Sequence, residues 1–164
     1  MLPIFLDSVY GEPCLKQIVQ AVYEQLYNVG FREFGFIVGR GKRTIEDHFT
    51  PDEEFVKEIE EKSSELAEEL RNFYRRIDDS TIIFINQPKP KGFGDAVLRA
   101  KGFANEVFLV HAGDTYIFSK NYNPIRSLIE NHEELKAKAT VLVQEVENPR
   151  IYGVIEGEEI KSDV

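Results

Sequence analysis

The amino-acid sequence predicts an α/β domain whose mainly parallel sheet is buried on both faces. Solid apolar runs of strand length alternate along the chain with amphipathic stretches of helical period, which is the pattern typical of that class. The 164 residues are enough for one domain with a sizeable core. A composition of 42% hydrophobic and 12% aromatic residues indicates a globular protein rather than a disordered chain.

The first predicted elements are a helix and a strand. Apolar residues recur at helical spacing over 15–29, and Gly30 follows where a glycine commonly ends a helix. The short apolar run 34–38 then predicts a strand. The later elements are predicted in this order: strand 82–85, helix 95–101, strand 108–110, helix 125–138, and strands 140–146 and 151–155.

A long helix is predicted over about 51–77. It starts at Thr50-Pro-Asp-Glu53, where Thr50 can cap the helix, Pro51 suits the first helical position and Glu53 completes a capping box. After this start, mainly apolar residues recur at alternating steps of three and four and form one seam along the predicted helix. The seam consists of Val56, Ile59, Ser63, Leu66, Leu70, Phe73 and Ile77. This seam either packs on its own domain, which we favour, or forms a coiled-coil site for a partner.

Charge and cysteine content restrict the partners and the location. With 20 basic and 29 acidic residues the formal charge is −9, which argues against binding to nucleic-acid polymers or anionic membranes but leaves room for a small anion in one basic pocket. Cys14 is the only cysteine, so no intrachain disulfide forms and a reducing compartment is indicated. No apolar run approaches the roughly 20 residues that cross a bilayer. We therefore expect a cytoplasmic location.

Ligands of parallel sheets bind beyond the carboxyl ends of the strands, so the loops 39–43, 87–95 and 111–115 are the candidate site. In the second of these loops, Gln87 offers an amide donor and acceptor together, as the edge of a pyrimidine base requires. Gly92 and Gly94 permit a close approach of the backbone before a helix begins. The alternative is an ordinary Gly-x-Gly turn.

The other two loops carry a carboxylate and a basic cluster. Val110-His-Ala-Gly-Asp114 delivers Asp114 at a strand end, where it is either a ligand of Mg²⁺ beside phosphate oxygens or a capping residue. His111 is interpreted as structural or positioning, because no second His or Cys stands at ligand spacing. Gly39-Arg-Gly-Lys-Arg43 is either a phosphate-binding loop or a solvated turn. Gly153, inside a strand pattern, suggests a bulge or a close ligand approach.

The candidate loops and the segments around them, taken together in their order along the chain, resemble the sugar-nucleotide nucleotidyltransferases. The resemblance is greatest to the bacterial and archaeal UTP–glucose-1-phosphate uridylyltransferases. Segment 39–49 is the most family-specific string, and 87–97 resembles the pyrimidine-reading loop, which is also similar in the thymidylyltransferases. Segment 110–114 resembles the strand with the metal-binding aspartate, and 152–154 the sugar-side glycine. Met1-Leu-Pro-Ile4 is similar to the end of the family's Lys-Glu-Met-Leu-Pro segment.

The resemblance implies a Rossmann-like, mainly parallel sheet of the nucleotidyltransferase (GT-A-like) type. It implies that Gln87 and the backbone at Gly92 recognise uracil. Asp114 would be the catalytic residue that holds Mg²⁺ on the phosphates, and Gly153 would lie against the glucose. In this family the sugar phosphate attacks the α-phosphorus of UTP in line and releases pyrophosphate, so the protein contributes positioning and charge neutralisation.

Several family features are not found in these 164 residues. They are the first strand with its Gly-x-Gly-Thr-Arg loop, the Glu-Lys-Pro segment and a second metal aspartate. Thr115 stands where a second acidic residue is common, and Asp95 stands where relatives often have His. We therefore expect 1–164 to be a partial nucleotidyltransferase domain with 51–77 as an insertion.

Such a chain is expected to pair with another copy of itself, as a homo-oligomer, or with the rest of the domain. The leading interpretation is part of a uridylyltransferase whose substrates are UTP and glucose 1-phosphate. The alternatives are a non-catalytic nucleotide-binding or regulatory module of the same fold, and a structural subunit that uses the seam for assembly.

Overall fold

The computed structural model describes residues 2–8, 11–104, 107–119 and 123–158. The chain divides into two compact units, the first up to residue 121 and the second from residue 122. Within the described ranges, no helix is both long enough and apolar enough to cross a membrane.

The first unit contains four strands and five helices among its described residues. Their order is β1 (Pro3–Asp7), β2 (Pro13–Gln17), α1 (Ile18–Val29), β3 (Glu33–Gly39), α2 (Arg43–His48), α3 (Glu53–Glu60), α4 (Ser64–Asp78), β4 (Thr81–Gln87) and α5 (Phe93–Arg99), which a 3-10 turn at Ala100–Gly102 extends. β3 pairs with β4 in parallel, from Glu33 opposite Thr81 to Gly39 opposite Gln87. The predicted α/β class is confirmed, and the described part of the sheet is small, as expected for an incomplete Rossmann-like fold.

The β1–β2 hairpin was not predicted, because the apolar spacing assigns residues 15–17 of β2 to a helix. The predicted helix 15–29 begins only at Ile18, because Pro13–Gln17 pairs antiparallel with Pro3–Asp7. Leu15, the first apolar residue of the predicted helix, is 58% exposed, whereas Lys16 next to it is 8% exposed. This alternation follows the period of a strand, in which neighbouring side chains point to opposite faces. Gly30 ends α1 with a positive φ of 122°, as predicted.

The continuous helix predicted over 51–77 is wrong, because two helices form there. α3 ends at Glu60, and Ser63 begins α4 from an extended conformation (φ −158°, ψ 113°), with its hydroxyl accepting the Leu66 N–H at 3.3 Å. Serine competes for backbone groups in this way and so favours a helix start over a helix interior.

The predicted capping residue of the first helix is also wrong. Asp52 caps α3, since its Oδ1 accepts the N–H groups of Glu54 and Phe55 at 3.1 and 3.0 Å. The Thr50 hydroxyl instead donates to the carbonyl oxygen of Glu46 in α2 at 2.8 Å. A carboxylate at this position also complements the positive end of the helix dipole, which favours Asp52 over Thr50 as the cap.

The seam of α3 and α4 packs on its own unit. Val56, Phe73 and Ile77 are buried in the core cluster, and Ile59 and Leu70 pack against it. Leu66 departs from this pattern, with 54% of its surface exposed. The coiled-coil interpretation is therefore not supported, because most of the apolar seam is already covered.

Aromatic rings form the centre of this core. The Tyr23 ring of α1 lies 4.7 Å from Phe34 of β3, 5.2 Å from Phe49 after α2 and 6.0 Å from Phe73 of α4, measured between ring centroids. The hydroxyl of Tyr23 is satisfied by Ser80 Oγ at 2.9 Å. The Tyr23 side chain thus connects α1 with β3, with α4 and with the residue that follows α2. The tilted and edge-on ring arrangements are those that aromatic pairs prefer.

A buried ion cluster attaches the hairpin to the same helices. Lys16 Nζ of β2 donates to Glu24 of α1 at 2.9 Å and to Glu69 of α4 at 2.5 Å, and all three side chains are at most 13% exposed. Burial alone would lower the pKa of Lys16, but hydrogen bonds and charges from Glu69 and Glu24 outweigh it and raise that pKa above its usual value. The ammonium group is therefore buried in its charged form.

The second unit contains α6 (Pro124–Leu135) and a 3-10 turn at Pro149–Ile151. Asn123 caps α6 by accepting the N–H groups of Ile125 and Arg126, and Lys136 ends it in the left-handed region at φ 47°. The helix predicted over 125–138 is thus confirmed, with an end three residues earlier. His132 Nδ1 lies 2.9 Å from Thr140 Oγ1, which ties the following segment back to the helix.

Three predicted strands are wrong, because the described residues of 108–110, 140–146 and 151–155 form no strand. A strand requires a neighbouring strand for its backbone hydrogen bonds, and none of the strands in the described ranges pairs with these segments. Their apolar side chains are correspondingly exposed: Phe108 52%, Val143 67% and Ile155 64%. Apolar pattern alone therefore did not determine strand formation here.

The aromatic core generates a stability prediction. Phe73 is 1% exposed and contacts several rings, whereas Phe55 on α3 is 46% exposed. We expect Phe73→Ala to lower the free energy of unfolding by about 3–5 kcal/mol, because it removes buried surface and leaves a cavity. The matched Phe55→Ala variant should lose clearly less. Urea unfolding followed by circular dichroism measures both, and equal losses would contradict the assignment of Phe73 to the core.

Candidate functional site

The carboxyl ends of β3 and β4 lie side by side. Gly39, the last residue of β3, is the register partner of Gln87, the last residue of β4. Because the strands are parallel, the loops that follow them leave from the same edge of the sheet. The structure therefore brings the loop 39–43 and the loop 87–95 together, as the sequence predicted.

The amide group of Gln87 is held from two sides. Its Nε2 donates to Asp95 Oδ2 at 2.9 Å and to the carbonyl oxygen of Gly92 at 3.4 Å. The Asp95 side chain is 19% exposed and also lies 3.5 Å from Arg99 Nε, one helical turn further along α5. Gln87 and Gly92 thus belong to one cluster, together with a carboxylate and a guanidinium group.

The charge of Asp95 is maintained by its neighbours. The hydrogen bond from Gln87 holds the pKa of this carboxyl below its usual value, and Arg99 and Lys91 act in the same direction, against a smaller opposing effect of burial. Sequence reasoning noted Asp95 only as a departure from the family and did not assign it to the site. Its place at the start of a predicted helix, four residues before Arg99, is a signal in the sequence that could have identified it.

Gly92 adopts a conformation that only glycine takes without strain. Its φ of 98° and ψ of 175° lie in a region that a side chain disfavours, and it immediately precedes α5 as the N-cap residue. A Cβ atom built there would meet no heavy atom within 4 Å, so the space above this backbone is open. Within the described part of the chain, no acceptor is found for the Gly92 N–H.

Basic side chains border the cluster on both loops. Arg40, Lys42 and Arg43 come directly after β3, and Lys89 and Lys91 follow β4; all five are exposed. A chain with a net charge of −9 therefore concentrates positive charge at this edge of the sheet. Such a concentration attracts anions and focuses their approach.

Asp114 lies on a turn further along the first unit. The Thr115 N–H donates to the carbonyl oxygen of Ala112 at 3.2 Å, and the exposed Asp114 carboxylate accepts from Thr115 Oγ1 at 3.5 Å. No contact between Asp114 and the Gln87 cluster is found in the described ranges.

His111 Nδ1 lies 2.8 Å from the carbonyl oxygen of Ala112, and its buried Nε2 has no hydrogen-bond partner among the residues that the structure describes.

Among the residues that the structure describes, no group of three or more His, Cys, Asp or Glu side chains could hold a metal ion. Asp114 therefore offers a single carboxylate. Such a donor fits a hard cation that takes most of its ligands from water and phosphate, as Mg²⁺ does.

Gly153 belongs to the second unit, in an exposed segment after the 3-10 turn. Its φ is not in the left-handed region, and a Cβ atom would meet nothing within 4 Å. The fold itself therefore does not require glycine at this position.

Comparison with known proteins identifies the family. A family model described as "Nucleotidyl transferase" matches residues 12–163, which is nearly the whole chain. The chain belongs to the nucleotidyltransferase family. The resemblance inferred from the motifs 39–49, 87–97 and 110–114 is thereby confirmed.

The curated relatives carry the name that the motifs suggested. The chain is 38% identical over 152 residues to a putative UTP–glucose-1-phosphate uridylyltransferase of Methanocaldococcus jannaschii, covering 91% of this chain and 52% of the relative. It is 37% identical over 149 residues to UTP–glucose-1-phosphate uridylyltransferase 2 of Streptococcus pyogenes serotype M3, covering 85% and 48%. A Pseudomonas aeruginosa uridylyltransferase of the same name is 31% identical. The chain spans about half the length of these relatives.

Solved structures show the same fold. An apo UDP-glucose pyrophosphorylase matches with a TM-score of 0.63 at 24% identity, over 73% of this chain and 44% of that one. A UDP-glucose pyrophosphorylase complexed with UDP-glucose matches with a TM-score of 0.58 at 21% identity. The nucleotidyltransferase type of α/β fold is therefore confirmed.

The conformation of Gly92 generates a prediction with a matched control. Gly92→Ala places a side chain at φ 98°, so we expect it to lower the free energy of unfolding by about 1–3 kcal/mol. Gly94→Ala, inside α5 and free of a positive φ, should raise stability by about 0.5–1 kcal/mol through helix propensity. Urea unfolding of both variants measures these changes, and the same sign for both would contradict the assignment.

Proposed function

We propose that this chain is part of a UTP:glucose-1-phosphate uridylyltransferase, which forms UDP-glucose and pyrophosphate. The observation that carries the proposal is the cluster of Gln87 and Gly92 at the carboxyl end of a parallel strand pair, bordered by basic loops, in a member of the nucleotidyltransferase family. The names of the relatives supply the substrates UTP and glucose 1-phosphate.

The base is recognised by one acceptor and one donor. Uracil presents an N3–H group flanked by carbonyl oxygens. Because the Gln87 Nε2 already donates to Asp95 and Gly92, the side-chain Oε1 is the group left to accept from N3–H. The Gly92 N–H supplies the donor for a neighbouring carbonyl oxygen, and the open space above Gly92 leaves room for the flat ring.

The phosphates lie against the basic side chains of loops 39–43 and 87–95. The sugar phosphate oxygen attacks the α-phosphorus, the bond to the bridging oxygen of pyrophosphate breaks, and pyrophosphate leaves with the electron pair. Little covalent chemistry falls to the protein in such a transfer, so positioning and neutralisation of charge account for most of the catalysis. The positive edge of the sheet fits that requirement.

Asp114 is the residue that would hold Mg²⁺, and we propose it as the catalytic carboxylate. When bound, the ion supplies neutralisation of charge on the phosphate oxygens. The exposed carboxylate of Asp114 contacts only Thr115 among the described residues, so it is available to a cation that arrives with the nucleotide. Gly153 is proposed to lie against the glucose ring, because segment 152–154 resembles the sugar-side segment of the family.

Residues 1–164 are proposed to form part of a nucleotidyltransferase domain that acts in the cytoplasm. Full activity is proposed to require association, either with another copy as a homo-oligomer or with the remainder of the domain. A nucleotide-binding module without catalysis is the second candidate, because the chain spans about half of its relatives and carries Thr115 beside Asp114.

Thermal unfolding tests the base-reading residue. At a UTP concentration about 100 times the Kd, with Mg²⁺ present, binding adds about 2.7 kcal/mol of stability and raises the Tm by about 5–10 °C. Gln87→Ala should lose most of this rise. Asn86→Ala, at the exposed neighbouring position of β4, should keep it. A wild-type Tm that responds to no nucleotide would refute the proposal.

Metal removal tests Asp114. We expect UTP to bind the wild type at least about tenfold more tightly in Mg²⁺ than in EDTA, and this difference to vanish in Asp114→Ala. Isothermal titration calorimetry measures it, with Asp47→Ala as a control at an exposed carboxylate of α2.

Pyrophosphate release from UTP and glucose 1-phosphate then separates an enzyme from a binding module. Release that Asp114→Ala abolishes supports the enzyme. UTP binding without release, measured with the remainder of the domain also supplied, supports the module. A Mg²⁺ dependence that survives Asp114→Ala contradicts the metal assignment.

A further inference from the structure

We propose that Asp95 is a positioning residue that fixes the orientation of the Gln87 amide and thereby makes the site select uracil over cytosine. The inference rests on the proposed function, in which Gln87 reads the base. The role assigned to Asp95 follows from its own contacts with Gln87 and Arg99.

The orientation of the Gln87 amide follows from the chemistry of its neighbours. An ionised carboxylate and a backbone carbonyl oxygen can only accept hydrogen bonds. Asp95 Oδ2 and the Gly92 carbonyl oxygen both lie within hydrogen-bond distance of the same amide nitrogen, at 2.9 and 3.4 Å. Both hydrogens of Nε2 are therefore used, and a flipped amide would place Oε1 against two acceptors.

Asp95 is itself fixed and charged. It lies in the first turn of α5, its side chain is 19% exposed, and Arg99 Nε lies 3.5 Å from the same Oδ2 atom that receives the Gln87 bond. Gln87, Arg99 and Lys91 all favour the ionised form of this carboxyl and hold its pKa low. The carboxylate thus stays an acceptor at neutral pH and keeps the Gln87 Nε2 in place.

The consequence is a site with a defined hydrogen-bond polarity. Gln87 Oε1 is available as an acceptor and the Gly92 N–H as a donor. Uracil presents a donor at N3 and an acceptor at the adjacent carbonyl group, so the two match. Cytosine presents the reverse, an acceptor at N3 and a donor at its amino group, and would leave polar groups unpaired. Thymine shares the N3–H group, so this arrangement of donor and acceptor does not discriminate against it.

The variant Asp95→Asn tests the inference because it keeps the size of the side chain and replaces a carboxylate that only accepts with an uncharged amide. An asparagine amide can donate as well as accept, so it can pair with Gln87 Oε1 and let the Gln87 amide turn over. We expect the wild type to bind UTP at least about tenfold more tightly than CTP. The ratio of the Kd values for CTP and UTP should fall about tenfold in Asp95→Asn.

Asp47→Asn provides the control, since it removes the same charge from an exposed position on α2 outside the cluster. It should leave the ratio unchanged. A folded Asp95→Asn variant with the wild-type ratio overturns the inference while the proposed function stands. Equal weakening of both nucleotides in that variant also overturns it, because the proposed role of Asp95 is to set the preference between the bases.

A measurement without nucleotide distinguishes failure of the proposed function from failure of the inference about Asp95. If the wild type binds neither UTP nor CTP, the proposed function fails. The side-chain ¹⁵N–¹H resonances of Gln87, assigned by their loss in Gln87→Ala, then still report on the amide. Resonances displaced from free-glutamine positions in the wild type, and returned toward them in Asp95→Asn, support a fixed orientation. Resonances at free-glutamine positions in the wild type overturn it.

Discussion

The parallel pairing of β3 with β4 is the constraint on which the rest of the first unit depends. Parallel strands cannot be joined by a tight turn, so the chain crosses from the end of one to the start of the other through α2, α3 and α4. This crossover brings Phe49 and Phe73 against Tyr23 and closes the aromatic core. The same pairing sets Gly39 beside Gln87. The packing of the aromatic core and the position of the candidate site therefore both depend on the register between β3 and β4.

A polar cluster connects the hairpin β1–β2 to two helices of that core. Burying Lys16, Glu24 and Glu69 costs desolvation energy, and their mutual attraction recovers it only when every charge is paired. Arg76, 3.8 Å from Glu24, adds a second cation to this cluster. Because an unpaired charge here would be costly, the cluster favours one docking of the hairpin on α1 and α4.

The sequence predicted what depends on local chemistry and missed what depends on tertiary partners. Gly30 ends α1 as expected, and the apolar runs of β3 and β4 became strands because each had the other as its neighbour. The runs 108–110 and 140–146 carry the same pattern but have no neighbouring strand among the described residues. Gln87 and Gly92 could be found from motif order, whereas the contact with Asp95 required the turn between them to be folded.

The exposed apolar segments also determine how the chain behaves at high concentration. Val143 and Ile155 present hydrophobic surface to water, and the backbone around them is not paired in any strand of the described ranges. Mutual repulsion between molecules, which comes from a net charge of −9, opposes the coalescence of such surfaces. That repulsion fades near the isoelectric point of about 4.9. Colloidal stability is therefore governed by acidic side chains spread along the chain, while the aromatic core governs whether the first unit stays folded.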